Sequence, residues 1–265
     1  MASRYRDLFD LTGRIAVVMG AASGLGEASA RFLAGMGARV VCADIDGEGV
    51  TATARRIADE GGTALSVRAD LTRTDEVRAA VATAVDTYGR LDIGVTTPGI
   101  NIRKRVATYT EEEFDRIVRL NLKGTFDFLK QASEVMVAQG SGSLVACSSM
   151  RANLVEPGLA VYASTKAAIQ QLVRGLASEV GLSGVRVNTI APGVIDTPLT
   201  RPLRDRPDVL KAYDEHTILG RWGSADEVAA AVAFLASDAA SYITGTNLPV
   251  DAGWTVIDGR FDAQH

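Results

Sequence analysis

The run Ile15-Ala16-Val17-Val18 passes directly into Met19-Gly20-Ala21-Ala22-Ser23-Gly24-Leu25-Gly26, and no other stretch limits the possible folds so tightly. The first four residues are continuously apolar, the pattern of a strand buried on both faces. After the glycines, Leu25, Ala28, Phe32 and Leu33 fall at helical spacing, which predicts a helix over 27–36. Strand, glycine turn and helix N-terminus together form a site for a pyrophosphate: bare backbone lets N–H groups approach the oxygens, and the helix dipole favours the negative charge. The glycines fall as Gly-x-x-x-Gly-x-Gly, and a lone turn of this kind also serves merely to pack a helix close to a strand. The next apolar run, Arg39-Val40-Val41-Cys42-Ala43, ends in Asp44, eighteen residues past Gly26. A carboxylate there can accept both hydroxyls of an adenosine ribose, and it repels a 2′-phosphate.

The same alternation continues. Further strands are expected over 64–69, 91–95, 143–148, 185–191 and 243–250, and helices over 74–88, 111–121, 125–139, 160–180 and 225–236. Strands alternating with longer helices predict an α/β fold whose parallel strands are joined by right-handed crossovers. With 265 residues, 47% of them hydrophobic, the chain can bury the core of one domain spanning 1–265, and neither a linker nor an internal repeat interrupts it. The tail 1–10 mixes charge signs without an apolar core, unlike a signal peptide or anchor, and no stretch approaches the ~18 apolar residues of a membrane span. Net charge is −4 without a basic stripe, so neither nucleic acid nor membrane is an expected partner. Cys42 and Cys147 sit in apolar runs, the setting of buried reduced thiols, and cytoplasm is the expected location.

Tyr162 and Lys166 are four apart in Val161-Tyr162-Ala163-Ser164-Thr165-Lys166, which on a helix puts phenol and ammonium on one face. A free phenol titrates near pH ~10 and is a poor base at neutrality, whereas a close cation stabilises the phenolate. Such a pair also arises by chance on solvated helices. Ser149, thirteen positions before Tyr162 at the end of an apolar run, strengthens the catalytic reading. A serine hydrolase would need a Gly-x-Ser-x-Gly elbow, which is missing, and a histidine, of which there are only His216 and His265. No phosphate loop of the Gly-Lys-Ser/Thr type occurs, and no His/Cys spacing suits a metal, so none is expected.

Taken in order, these motifs resemble the short-chain dehydrogenase/reductase family of the single-domain type, over about residues 11–254. The resemblance implies a doubly wound, parallel, seven-stranded sheet (Rossmann fold). It casts Gly20, Ser23, Gly24, Leu25 and Gly26 as the cofactor turn and Asp44 as the acid that selects NAD. Asp70 and Leu71 would flank the adenine, Gly99 would lie against the cofactor, and Pro192, Gly193, Ile195 and Thr197 would hold the nicotinamide amide. Asn121, Ser149, Tyr162 and Lys166 match the catalytic tetrad, with Tyr162 and Lys166 also touching the cofactor. The implied activity is NAD-dependent interconversion of a small secondary alcohol and a ketone. In that reading Tyr162 is the base, Ser149 holds the substrate oxygen, Lys166 binds the nicotinamide ribose, and Asn121 holds a water that links Lys166 to solvent. A homotetramer is implied as well, in keeping with apolar residues on more than one face of helices 125–139 and 160–180.

Three positions depart from the family pattern: Met19 replaces a Thr, Thr96-Thr97-Pro98-Gly99 replaces Asn-Asn-Ala-Gly, and Ala252 replaces a second glycine. The proline-bearing segment 197–216 corresponds to a lid over the substrate; as a bare pattern it also reads as a solvated connection. Pro157 to Tyr162 and Leu219 to Gly223 resemble the gluconate and deoxygluconate dehydrogenase branch, and Arg103 is a candidate partner for a substrate carboxylate. The expected substrate is thus a sugar acid or other hydroxy acid. Alternatives are a 3-oxoacyl reductase, a dehydrogenase of cyclic or terpenoid alcohols, and, from another class, a non-catalytic dinucleotide-binding regulator.

Overall fold

The computed structural model describes residues 2–257. Its strands are β1 (Ile15–Met19), β2 (Arg39–Asp44), β3 (Thr63–Arg68), β4 (Ile93–Thr96), β5 (Gly142–Cys147), β6 (Val185–Pro192), β7 (Ile195–Asp196), β8 (Gly223–Ser224) and β9 (Asn247–Val250). Seven of them form one sheet in the order β3-β2-β1-β4-β5-β6-β9, every pair parallel, while β7 and β8 pair separately. Strand order reverses between β1 and β4, which leaves a crevice at their carboxyl ends where no connection crosses.

The helices are α1 (Ala2–Asp7), α2 (Gly24–Gly35), α3 (Gly47–Asp59), α4 (Thr74–Tyr88), α5 (Glu111–Val118), α6 (Thr125–Gln139), α7 (Ala160–Val180), α8 (Arg201–Arg204), α9 (Pro207–Asp214) and α10 (Ala225–Ala236). Alternate strand residues point to opposite faces, so each face acquires its own core. Val18, Val40 and Val95 pack with Leu33 of α2 and Val232 of α10; Val17, Val41 and Leu144 pack with Val77 of α4, Phe128 of α6 and Ile169 of α7.

The elements differ from the sequence expectation in a few places. The helix expected from residue 27 begins at Gly24, so the last glycines of the turn already form its first turn. The helix expected over 111–121 gives way after Val118 to a π-helical segment, Arg119–Gly124, that runs into α6. Helix α3 was not foreseen, and residues 2–7 are helical where a plain tail was expected. Segment 197–216 contains α8 and α9, each with a proline in its first two positions, where a missing N–H costs nothing. Among the described residues no helix is long and apolar enough to cross a membrane.

Candidate active site

A cleft of about 410 Å³ opens at the crevice between β1 and β4. Gly20, Ser23, Gly24, Leu25, Gly26, Asp44, Asp70, Leu71, Gly99 and Thr197 line it, joined by Ile45, Thr72, Thr97, Pro98, Leu120, Pro198 and Leu199, which sequence reading did not assign to it. Two glycines are dictated by close approach. A Cβ on Gly26 would stand 1.9 Å from the Gly20 carbonyl oxygen, and one on Gly20 (φ +88°) would stand 2.6 Å from Thr97 Oγ1. Thr97 in turn donates through its hydroxyl and its N–H to the Met19 carbonyl (3.2 and 3.1 Å), so it braces the end of β1 although Pro98 brings no donor. The Asp44 carboxylate accepts the Ala22 N–H on Oδ2 (3.1 Å) and the Asp46 N–H on Oδ1 (3.0 Å). Each oxygen keeps acceptor capacity for a hydroxyl. The exposed amide end of α2, the glycine cradle and this fixed acceptor suit a dinucleotide in extended form.

Pro192, Gly193 and Ile195 do not line the cleft. They anchor Thr197 from behind: the Gly193 N–H donates to Val250 O (2.9 Å), a Cβ there would stand 2.7 Å from Asp251 Cα, and Ile195 is buried with its carbonyl accepting the Thr200 hydroxyl.

Asn121 and Lys166 meet beside Gly99, Tyr162 lies next to Lys166, and Ser149 follows the strand whose Cys147 carbonyl accepts Lys166 Nζ. Ser149 follows β5 and caps the 3-10 turn Met150–Ala152, its Oγ accepting the Arg151 N–H (3.1 Å). One helical turn apart at the start of α7, Lys166 is 2% exposed, with Nζ donating to the Cys147 carbonyl (2.8 Å) and lying 5.7 Å from the centroid of the Tyr162 ring. A Cβ on Gly99 would come within 3.2 Å of that Nζ and 3.6 Å of Asn121 Oδ1, so the bare backbone at 99 leaves room for both. Asn121, fully buried in the π-helical segment, accepts the Ile100 N–H and donates to the Ile100 carbonyl (both 2.9 Å) and to Thr165 Oγ1 (3.2 Å). π-helical insertions recur where a helix must present such a group inward.

A sequence model described as Enoyl-(Acyl carrier protein) reductase matches residues 20–255. The chain is a short-chain dehydrogenase/reductase. It is 40% identical over 245 residues to cis-4-hydroxycyclohexanecarboxylate dehydrogenase of Sinomonas cyclohexanicum, covering 92% of this chain and 97% of that one. To 2,5-dichloro-2,5-cyclohexadiene-1,4-diol dehydrogenase LinX of Sphingobium indicum it is 37% identical over 246 residues, 93% of this chain and 98% of that one. A crystal structure of a gluconate 5-dehydrogenase from Burkholderia cenocepacia, in complex with NADP and tartrate, superposes with a TM-score of 0.92 at 34% identity, covering 96% and 99% of the two chains. The dehydrogenase is thus an oxidoreductase of CH–OH groups with a dinucleotide-binding fold.

Beside the tetrad this dehydrogenase carries a charged cluster that its sequence did not announce. Arg103 is not free to solvent but ion-paired with Glu156. Arg151, with a side chain 10% exposed, places Nη2 at 2.6 Å from the other Glu156 oxygen and its guanidinium over the Trp254 ring, 5.1 Å from the centroid. The Tyr213 hydroxyl, from α9, reaches both Glu156 oxygens (3.1 and 3.0 Å), and its ring packs on Trp222 and Trp254. Burial opposes ionisation of Glu156, but the Arg103 hydrogen bond and the charges of Arg151 and Arg103 outweigh it and hold the carboxyl below the usual range. Burial, with Glu156 alongside, pushes the Tyr213 phenol up. The available signal was one acid in the short stretch between Ser149 and Tyr162, opposite a basic run after β4.

Proposed function

We propose that this dehydrogenase uses NAD in preference to NADP and oxidises a secondary alcohol on a small cyclic or polyhydroxylated skeleton, reducing the ketone in reverse. Asp44 carries the cofactor reading: its carboxylate ends β2 inside the cleft, and none of the residues lining that cleft is Lys or Arg, so a 2′-phosphate would meet a negative charge without a cation to offset it. Gly20 to Gly26, Asp44, Asp70, Leu71 and Thr197 would hold the dinucleotide, with Pro192, Gly193 and Ile195 fixing the segment that carries Thr197. When bound, that cofactor accepts the hydride from the carbinol carbon.

The residues of the chain do the rest. Tyr162 takes the hydroxyl proton, Ser149 donates a hydrogen bond to the same oxygen and fixes its position, and Lys166 holds its ammonium 5.7 Å from the centroid of the Tyr162 ring. Asn121, by clamping Ile100 and Thr165, keeps the tetrad's helix and the loop after β4 in register. Segment 197–216 acts as the lid. Names of relatives favour this skeleton: they include a cyclohexadiene diol, a hydroxycyclohexanecarboxylate and galactitol dehydrogenase. Buried reduced Cys42 and Cys147 favour a cytoplasmic enzyme, and the outer faces of α6 and α7 favour a homotetramer.

A panel of cyclic alcohols, polyols and hydroxy acids, run with each cofactor, tests the reading. We expect kcat/KM about tenfold or more in favour of NAD, equivalent to ~1.4 kcal/mol, and a narrower gap in Asp44→Ser. Better turnover with NADP would remove the assigned role of Asp44, and no turnover across the panel would remove the substrate class.

A further inference from the structure

We propose that Tyr213 is a positioning residue for Ser149: when α9 seats on the connection between Ser149 and α7, its phenol clamps that connection through Glu156 and Arg151, so that closing the lid and placing the catalytic serine are one event. The inference deepens the alcohol dehydrogenase reading above and rests on it.

The lid is loosely built. Neither α8 nor α9 has a buried residue. Leu203, Leu210 and Tyr213 are the hydrophobic side chains that pack on the small cluster of Met150, Val194, Trp222 and Trp254, which is separate from the two sheet cores. A segment held by few buried contacts opens at a small fraction of the cost of global unfolding. Tyr213 grips in two ways. Its ring centroid lies 5.7 Å from that of Trp222 and 5.5 Å from that of Trp254, and its hydroxyl reaches both Glu156 oxygens (3.1 and 3.0 Å).

Both grips lead to the turn that sets Ser149. The apolar one falls on a cluster that includes Met150, 3% exposed and next to Ser149 in the chain. The polar one runs from Tyr213 to Glu156 and from Glu156 to Arg151 Nη2 (2.6 Å), and the Arg151 N–H is the donor on Ser149 Oγ (3.1 Å). With acceptor capacity committed to that N–H, the Ser149 hydroxyl can turn its own hydrogen to the substrate oxygen. The Arg151 guanidinium also lies over the Trp254 ring on which Tyr213 packs, so one residue ties the lid to the serine through side chain and backbone. A displacement of ~1 Å at a group that holds the reacting oxygen can cost on the order of 10²-fold in rate. A clamp on this turn therefore bears on catalysis without touching substrate.

Amide hydrogen exchange on the full chain reads this coupling without any ligand, since the N–H groups of Arg151 and Ala152 are both hydrogen-bonded within the turn. The turn Met150–Ala152 and α9 are followed in wild type, in Tyr213→Phe, which loses the hydroxyl and keeps the ring, and in Tyr213→Ala, which loses both, each checked by thermal unfolding. Exchange in α9 and in the turn should rise together, by about tenfold in Tyr213→Phe and further in Tyr213→Ala, while α10 keeps its wild-type rate. Tyr213→Phe decides alone if the larger truncation does not fold. Faster exchange in α9 beside an unchanged turn overturns the proposal, and so does a Tyr213→Phe protein that matches wild type at both. A kinetic cycle then asks whether Tyr213 acts through Ser149. On an alcohol that wild type turns over, Tyr213→Phe should lower kcat by about tenfold with a smaller change in KM, and should lower it by less than about twofold where Ser149 is already replaced by Ala. Equal losses in the two backgrounds overturn the proposal. If no alcohol is turned over, the substrate reading above fails, and the exchange result still decides the clamp.

Discussion

Ala252 is the one non-glycine residue among those described with a left-handed backbone, φ 54°. A Cβ in that region crowds the following carbonyl at a cost of about 1–2 kcal/mol, and the family's usual glycine at this position has its explanation there. Its carbonyl accepts the Ile218 N–H (2.9 Å), which ties the geometry to the chain just past segment 197–216. Ala252→Gly should therefore stabilise the protein by ~1 kcal/mol and raise its Tm by roughly 2–4 °C in a thermal melt; a lower Tm would show that the strain is relieved by something else. The sequence flagged the departure, but only the backbone angle gives it a sign. At the chemical centre, Tyr162→Phe keeps the ring and removes the proton acceptor, so turnover should fall by about 10²-fold or more while NADH binding, followed by fluorescence, persists. Near-normal turnover would remove Tyr162 from the role of base. Tyr162 and Lys166 could be paired from sequence because type and spacing put them on one helix face, while Asn121 was expected beside them through the family resemblance alone. Glu156 could not, because its partner Arg103 is 53 positions away and neither residue belongs to a periodic pattern.

Helix α10 shows how local chemistry sets an element's edge. Ser224 accepts the Glu227 N–H (3.2 Å) and Glu227 accepts the Ser224 N–H (2.8 Å), a reciprocal cap on a helix whose inner face is almost wholly apolar. Ser224→Ala should cost about 0.5–2 kcal/mol, read as a lower midpoint in denaturant, and an unchanged midpoint would mean that the helix end is held by packing alone. The Arg221 hydrogen bond, with the Ser224 N–H, lowers the Glu227 carboxyl from 4.5 to about 2. Because the folded value is the depressed one, its contribution is whole above about pH 4.5 and fades as pH falls towards 2. Comparing wild type with Glu227→Gln should thus give melts that differ at pH 6 and converge towards pH ~2, by a modest amount since the pair is exposed. Elements with a clear apolar period were legible in the sequence. Helix α3 was not, since it opens on Gly47, Glu48 and Gly49 and turns only Val50, Thr53 and Ile57 inward. The π-helical turn at Arg119–Gly124 was also hidden, because its residues read as an ordinary helix and the extra one is absorbed by tertiary packing on Ile100 and Thr165.

At the scale of the molecule, the outer faces of α6 and α7 leave an apolar groove between them. Phe126 is 45% and Val137 39% exposed beside the half-buried Leu172 and Leu176, more apolar surface than one sheet face requires. Light scattering at micromolar concentration should return four times the chain mass, and Phe126→Glu should lower it; a monomer mass for wild type would end the tetramer reading. The sheet also gives the molecule two unlike ends. Every residue assigned to chemistry lies at the carboxyl ends of the strands, while the returns from helix to strand at the other end turn on Gly37, Gly61, Gly89, Gly140 and Gly184, all left-handed. At Gly61, Gly89 and Gly140 no atom lies within 4 Å of where a side chain would begin, so these corners open outward. The corners are natural handles, provided that a linker to a bead, an electrode or a second enzyme is joined to a neighbouring residue and not to the glycine, whose positive φ would strain a side chain; attached there, it would leave the mouth of the cleft pointing into solution.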